Sequence, residues 1–276
     1  MLTDYHLHLR RDDHPGGAEE AFTAANAERY RATAEEHGIT ELGASEHLYR
    51  FAQALDVWQH PLWRDFARDD LDAYVAFLRE ETDLRVGIEA DFLAGREDRL
   101  ATLLEGRDWD YVIGSVHFLG EHMVDFERYD IWDARGHRPE EVWKRYFETL
   151  GEAARTGLFD ILAHPDLVKV WGPRRPRPEG DLRRFYMRAM DGIAEARPAI
   201  EVSTAGLRKP VGELYPALPF LELCLEAGCP IALSSDAHEP GQVGFRYEEA
   251  LETLERLGVT ELATFDRRER RLEPIG

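Results

Sequence analysis

The sequence predicts an α/β fold in which parallel strands close into a single barrel, and three observations carry that reading. Short apolar runs rich in β-forming residues alternate seven times with longer segments of helical period. Glycines stand where the helical segments end, the place at which a left-handed residue stops a helix. No linker, low-complexity stretch or internal repeat interrupts the 276 residues, a length that α/β barrels use as one unit, so residues 1–276 are read as one domain.

In chain order the strands are expected at 3–8, 39–45, 85–92, 111–118, 159–164, 199–204 and 230–235. Helices are expected between them at 18–37, 64–81, 96–107, 139–155, 181–196 and 216–227, with 243–257 after the last strand. Gly38, Gly157, Gly228 and Gly258 punctuate the ends of four of these helices. Residues 259–265 read either as an eighth short strand or as a terminal segment. Two inserts break the pattern. Residues 120–137 follow the fourth strand and carry Asp125, Arg128, Tyr129, Asp130 and Trp132, while 172–180 follow the fifth and read GPRRPRPEG, too rich in proline for a helix. Both fall at the carboxyl rim of the barrel, where enzymes of this architecture place substrate contacts.

Composition narrows the partners. The chain carries 54 acidic against 34 basic residues, a formal net charge of −20, and a field of that sign repels nucleic acid and anionic membrane surfaces. No apolar run approaches the roughly 18 residues of a membrane span, and the first residues lack a basic-then-apolar signal pattern. The two cysteines, Cys224 and Cys229, are expected as small buried side chains in a reducing cytoplasm rather than as a disulfide framework.

The chemistry is concentrated at strand ends. The chain opens Asp4-Tyr5-His6-Leu7-His8 and later reads Ser235-Asp236-Ala237-His238. On a strand, residues i and i+2 project to one side, so His6 pairs with His8 and Asp236 with His238. His14 follows in the first loop, His47 comes just after the second strand, Glu89 lies near the end of the third, His117 is on the fourth and His164 ends the fifth. Seven of the 11 histidines therefore fall at strand ends or just beyond, which a barrel gathers into one pocket. Nine ligands exceed what one tetrahedral ion takes and suit two or three divalent cations, with a carboxylate such as Glu89 bridging. Nitrogen and oxygen donors without thiolates suit zinc, iron(II) or manganese. Three such ions on seven neutral imidazoles and two carboxylates leave a site of about +4 inside an acidic protein, so an anionic substrate is admissible.

These strings, with FDILAHPDL at 159–167 and EVSTAGLRKP at 201–210, resemble the PHP (polymerase and histidinol phosphatase) family, most closely its histidinol-phosphatase branch. The resemblance implies a distorted seven-stranded (β/α) barrel of the TIM-like kind with a trinuclear metal centre. It assigns His6, His8, Glu89 and Asp236 to one ion, His14, His47 and His238 to a second, and Glu89, His117 and His164 to the third. It departs from the family at Glu46, where many members have Asp before the second-strand histidine. The activity it implies is hydrolysis of L-histidinol phosphate to L-histidinol and phosphate, by attack of a cation-activated hydroxide on phosphorus. No nucleophile-elbow serine and no glycine-rich phosphate loop offers a covalent alternative.

Four further residues are expected to meet substrate. Arg208 directly follows the sixth strand, where a guanidinium can hold phosphate oxygens in a bidentate grip. Ser115 lies on the same strand face as His117; Lys169 and Tyr215 come from rim loops. Asp236, His238 and a metal-bound water are the candidate proton donors to the leaving alkoxide, among which the sequence does not choose. The ammonium of the substrate suits an acidic rim built from Glu121, Asp125 or Asp130. The neighbouring reading is a phosphoesterase of the same family acting on nucleotides or other small phosphate esters. An amidohydrolase-type barrel also opens with His-x-His, but it needs a bridging lysine on a middle strand, where this chain has Glu89 and His117.

Overall fold

The computed structural model describes residues 1–11, 18–132 and 138–276. Seven parallel strands form one sheet in strict chain order: β1 (Thr3–Asp4), β2 (Glu41–Ala44), β3 (Arg85–Asp91), β4 (Tyr111–Ser115), β5 (Ile161–Leu162), β6 (Ala199–Ser203) and β7 (Ile231–Ser234). The sheet curls into a nearly closed barrel. Its first and last strands meet through a parallel bridge between Leu7 and Ala237, with the His8 amide donating to the Ala237 carbonyl at 2.7 Å. Below that bridge the Asp4 carboxylate takes the Ser235 amide at 3.0 Å and its hydroxyl at 2.5 Å.

The helices are shorter than periodicity suggests, because side chains cap them internally. The expected helix at 18–37 divides into Ala18–Ala21 and α1 (Ala24–Glu36), since Thr23 accepts from the Asn26 amide at 3.2 Å and starts a new helix there. The expected helix at 64–81 likewise becomes Pro61–Phe66 and α2 (Leu71–Glu81), with Asp70 accepting from the Ala73 amide at 2.8 Å. The remaining helices are α3 (Glu97–Leu104), α4 (Pro139–Arg155), α5 (Arg183–Ala196), α6 (Leu218–Glu226) and α7 (Tyr247–Arg256). Gly38, Gly157, Gly228 and Gly258 all take the left-handed conformation, φ 65–77°, at helix ends. The longest pair, α4 and α5, packs so closely that a Cβ on Gly192 would lie 2.0 Å from the Gly151 carbonyl oxygen. No helix among the described residues is long and apolar enough to cross a membrane.

Residues 259–265 are not an eighth barrel strand. They supply β8 (Glu261–Asp266), which pairs antiparallel with β9 (Glu269–Pro274). Ala263 and Phe265 of this hairpin join Tyr5, Tyr111, Ile113, Ile161, Ala199 and Ala232 in a buried cluster inside the barrel. Tyr111 crosses that interior and donates to the Tyr5 carbonyl at 2.6 Å, and Gly87 leaves room for its ring, since a Cβ there would lie 2.2 Å from it. The amino end of the barrel is thus filled with apolar side chains, and the carboxyl end is left for polar ones.

Asp110 ties this floor together. Its carboxylate receives Arg79 at 2.8 and 2.9 Å, the Val86 amide at 2.8 Å and the Arg267 amide at 3.1 Å. Burial alone would push its pKa up, but these donors win and hold it below the ordinary value of 3.8. Its contribution is therefore present above the unfolded carboxylate's pKa and fades as pH falls through the lower folded one. Asp110→Ala is expected to cost about 2–4 kcal/mol at neutral pH, with the gap from the parent shrinking in acid. Urea melts at pH 7 and below pH 4 measure both.

Candidate metal centre

Each expected ligand within the described residues arrives at the carboxyl rim, though often just past its strand. β1 stops at Asp4, and His6 and His8 extend beyond it, held in line by the Leu7–Ala237 bridge. Their rings lie side by side, centroids 5.2 Å apart. β7 stops at Ser234, so Asp236 and His238 are not paired by strand alternation. Asp236 instead turns left-handed at φ 51°, as His164 does at φ 25° after β5. A non-glycine residue held left-handed costs about 1–2 kcal/mol, and both sit where the turn aims an acid or imidazole into the barrel mouth. His47 lies on the rim after β2, bridged through its backbone to Glu89 on β3. His117 follows β4, and His14 lies outside the described residues.

Glu89 is the hub. Its Oε2 lies 2.5 Å from His47 Nδ1, 3.4 Å from His6 Nε2 and 3.6 Å from His8 Nε2; its Oε1 lies 3.2 Å from His164 Nε2 and 3.4 Å from His117 Nε2. Asp236 Oδ1 stands 3.7 Å from His6 Nε2 and 3.5 Å from His8 Nε2. Three sets have all their donor atoms within 4.8 Å of one another: His6, His8 and Asp236; His6, Glu89 and His164; His8, His47 and His238. The first of these lies within the set that the resemblance assigns to one ion, and His8 in addition stands against both His47 and His238, each centroid at 4.2 Å.

The arrangement fits divalent cations. Bonds of about 2.0–2.1 Å in a tetrahedral shell set donor atoms roughly 3.3 Å apart, close to most of the separations around Glu89. His6 Nε2, both nitrogens of His8, His164 Nδ1 and Glu89 Oε2 are buried without a hydrogen-bond partner among the described residues. Each such orphan costs roughly 1–3 kcal/mol unless something meets it.

Charge around the hub is strongly polarised. Burial pushes the Glu89 carboxyl up, but the imidazoles of His47, His6 and His117 hold it well below the usual carboxylate range. Asp236 is held down in the same way by His6, His8 and His238 against its burial. Burial pushes His6 down, yet Glu201, Glu89 and Asp236 lift it well above the usual imidazole range. His8 goes the other way, depressed by burial and by His47 and His238. His117 rises to about 10 despite burial, through Asp125, Asp91 and Glu89. Ligation by imidazole needs the neutral form, so cations entering this cluster displace protons from it.

Behind the imidazoles stand acids that orient them. Glu201 on β6 accepts from His6 Nδ1 at 2.7 Å and from the His164 amide at 2.6 Å. Asp91 Oδ1 lies 2.8 Å from His117 Nδ1. Such partners fix which ring nitrogen faces the centre. Sequence reading passed over both, although Asp91 follows Glu89 at i+2 on one strand face and Glu201 is an acid within the apolar run of β6. Glu46, the departure from the family pattern, backs His8 Nδ1 at 3.9 Å and receives the Arg10 amide at 3.0 Å and the Arg50 guanidinium.

A cavity of about 400 Å³ opens above the cluster, with His47, Glu89, His117, His164, Asp236 and His238 on its floor and Leu62, Phe66, Phe126, Trp171, Arg174, Lys209 and Tyr215 among its walls. Of the four expected substrate contacts only Tyr215 lines it, with a buried hydroxyl that has no partner among the described residues. Ser115 lies beneath and donates to Glu89 Oε1 at 2.5 Å. Lys169 is buried away from the wall, held by Asp166 at 3.0 Å, Glu213 at 3.2 Å and the Leu214 carbonyl at 2.7 Å. One Arg208 nitrogen donates to the Ser235 and Asp236 carbonyls at 2.9 Å each, bracing the turn that carries Asp236, and its other terminal nitrogen is buried without a partner among the described residues. Arg174 and Lys209, cations of the GPRRPRPEG and GLRKP segments, reach the wall instead.

Residues 21–205 match the PHP domain family. A probable histidinol-phosphatase of Deinococcus radiodurans is 33% identical over 287 aligned positions that span 99% of each chain. A histidinol-phosphatase of Bacillus subtilis is 28% identical over 189 positions, 63% of this chain and 70% of that one. Among solved structures, the histidinol phosphate phosphatase of Lactococcus lactis, in complex with zinc, L-histidinol and phosphate, shares the fold with a TM-score of 0.70 at 18% identity, over 98% of both chains.

Removing the hub should empty the cluster without unfolding the barrel. Glu89→Gln is expected to lower bound divalent metal measured by elemental analysis, with far-ultraviolet circular dichroism retained. Ions at a thousand times their dissociation constant stabilise the native state by about 4 kcal/mol, so chelation should lower the melting temperature of the parent and move that of Glu89→Gln far less.

Proposed function

The chain belongs to the PHP domain family, and from that premise we propose that it is a phosphoric monoester hydrolase converting L-histidinol phosphate to L-histidinol and phosphate in histidine biosynthesis. The observation that carries the reading is the set of buried, unpartnered imidazole and carboxylate atoms around Glu89 at the floor of the cavity. The names of the relatives, which match this chain over up to 99% of its length, give that floor its substrate.

In this reading the chain is one catalytic domain, and three divalent ions, zinc, iron(II) or manganese, are held by His6, His8, His14, His47, Glu89, His117, His164, Asp236 and His238. When bound, such ions neutralise phosphoryl oxygens and lower the pKa of water toward 7. The protein supplies the rest. Glu201 and Asp91 keep His6 and His117 turned toward the centre. Arg208 holds the Asp236 turn and turns its remaining buried donor to a phosphate oxygen. Tyr215 offers its free hydroxyl to the same anion, while Ser115 and Lys169 steady the floor and the wall. His238 and Asp236, the partly exposed ligands at the cavity mouth, relay a proton to the leaving alkoxide, with the ionised Asp236 as the base that takes it from water. Phe66, Phe126 and Trp171 present apolar faces for the heteroaromatic ring. Cys224 and Cys229 are buried free thiols, in keeping with a cytoplasmic protein.

The metal-loaded protein is expected to show kcat/KM for L-histidinol phosphate on the order of 100-fold above that for nucleoside monophosphates or an aryl phosphate. Comparable values across the three would remove the assignment and favour a broad phosphoesterase. Asp236→Ala should abolish turnover. Arg208→Ala should raise KM and lower kcat/KM at unchanged metal content.

A further inference from the structure

One wall of the cavity has no task in the phosphate chemistry. Asp125 stands on it with Oδ1 buried and without a hydrogen-bond partner among the described residues. The chain on either side is pinned: the Val124 amide donates to the His117 carbonyl at 2.9 Å, the Val124 carbonyl accepts Trp171 Nε1 at 2.7 Å, and the Tyr129 amide donates to the Phe126 carbonyl at 3.2 Å. The side chain is therefore presented by a fixed backbone. The two other acids that the sequence offered for this role are placed elsewhere. Asp130 receives Arg175 and the Trp132 amide, and Glu121 lies exposed off the cavity wall. Asp125 is near enough to His117, His164 and Lys209 for its charge to be felt with theirs, and Asp91 opposes it, yet none of these groups bonds to it.

We propose that Asp125 is a specificity-determining residue that receives the ammonium of an amino-alcohol phosphate and so selects cationic phosphate monoesters over esters lacking the amine. The inference rests on the substrate reading given above. In such an ester the amine lies only two carbons from the ester oxygen, so its reader must stand beside the floor that holds the phosphate. Asp125 meets that requirement through its attachment next to His117, whose Nε2 is 3.4 Å from the hub carboxylate. A charge-assisted hydrogen bond in a largely enclosed cavity is short and strong. An ester without the amine leaves the buried Oδ1 of the half-buried Asp125 unmet, a penalty worth on the order of 10- to 100-fold in selectivity.

The test uses the full chain loaded with metal and two esters, L-histidinol phosphate and its des-amino analogue, 3-(imidazol-4-yl)propyl phosphate. The parent should prefer the first on the order of 10- to 100-fold in kcat/KM. Asp125→Asn should collapse that ratio toward unity at unchanged metal content, and Asp125→Glu should retain part of it. L-Histidinol, titrated by calorimetry, should bind Asp125→Asn at least about tenfold more weakly relative to inorganic phosphate. An unchanged ratio, an equal loss on both esters, or a parent that turns over both esters alike overturns the inference. A parent that prefers nucleotides to both esters overturns the substrate reading itself, which is a separate result.

Discussion

The structure depends on one constraint: a carboxylate, Glu89, is buried among five imidazoles from four different strand ends, and the described residues do not satisfy all of the donor atoms gathered there. In a medium of low polarity that cluster is stable only with added positive charge, as protons or as metal ions. The surrounding features serve to hold it. The left-handed turns at His164 and Asp236, the Leu7–Ala237 closure and the acids behind the rings all fix donor atoms that would otherwise relax toward water or backbone. Rigidity here is placed where the ligands are.

The chain separates its charges accordingly. An excess of acids gives a net charge of −20, while the cavity gathers histidines at its floor and Arg174 and Lys209 on its walls. An anionic group entering from solvent thus meets a repelling outer field and an attractive interior. Electrostatic selection of that kind works at short range, because salt screens the outer field within about 8 Å. Contacts inside the cavity, rather than steering from outside, carry the discrimination.

Much of this was legible in the chain. Strand order, one parallel barrel, the glycine helix ends and the gathering of eight of the nine candidate ligands at one rim could be read from alternation and spacing, because a parallel barrel puts all strand ends on one rim; the ninth candidate, His14, lies outside the described residues. What escaped was set by contacts between distant segments. Thr23 and Asp70 divide helices that look continuous by period, since capping is a local hydrogen bond that hydrophobic spacing does not register. The 259–265 run has the apolar pattern of a barrel strand, but it pairs with the residues after it and turns Ala263 and Phe265 into the barrel. Lys169 reads as a substrate contact from its rim position, and Asp166 and Glu213 claim it first. Glu201 reads as an ordinary strand residue, and only the fold brings it behind both His6 and His164.

The central claim is that the strand-end donors converge on adjacent cations. Anomalous diffraction from crystals of the protein grown with zinc or manganese tests this directly. The account predicts at least two peaks within the Glu89 cluster, neighbours about 3.5–4 Å apart as in two-metal sites, with imidazole nitrogens of His6, His8 and His164 among their ligands. A cluster that holds no peak, with the histidines hydrogen-bonded to water or to one another, would contradict it.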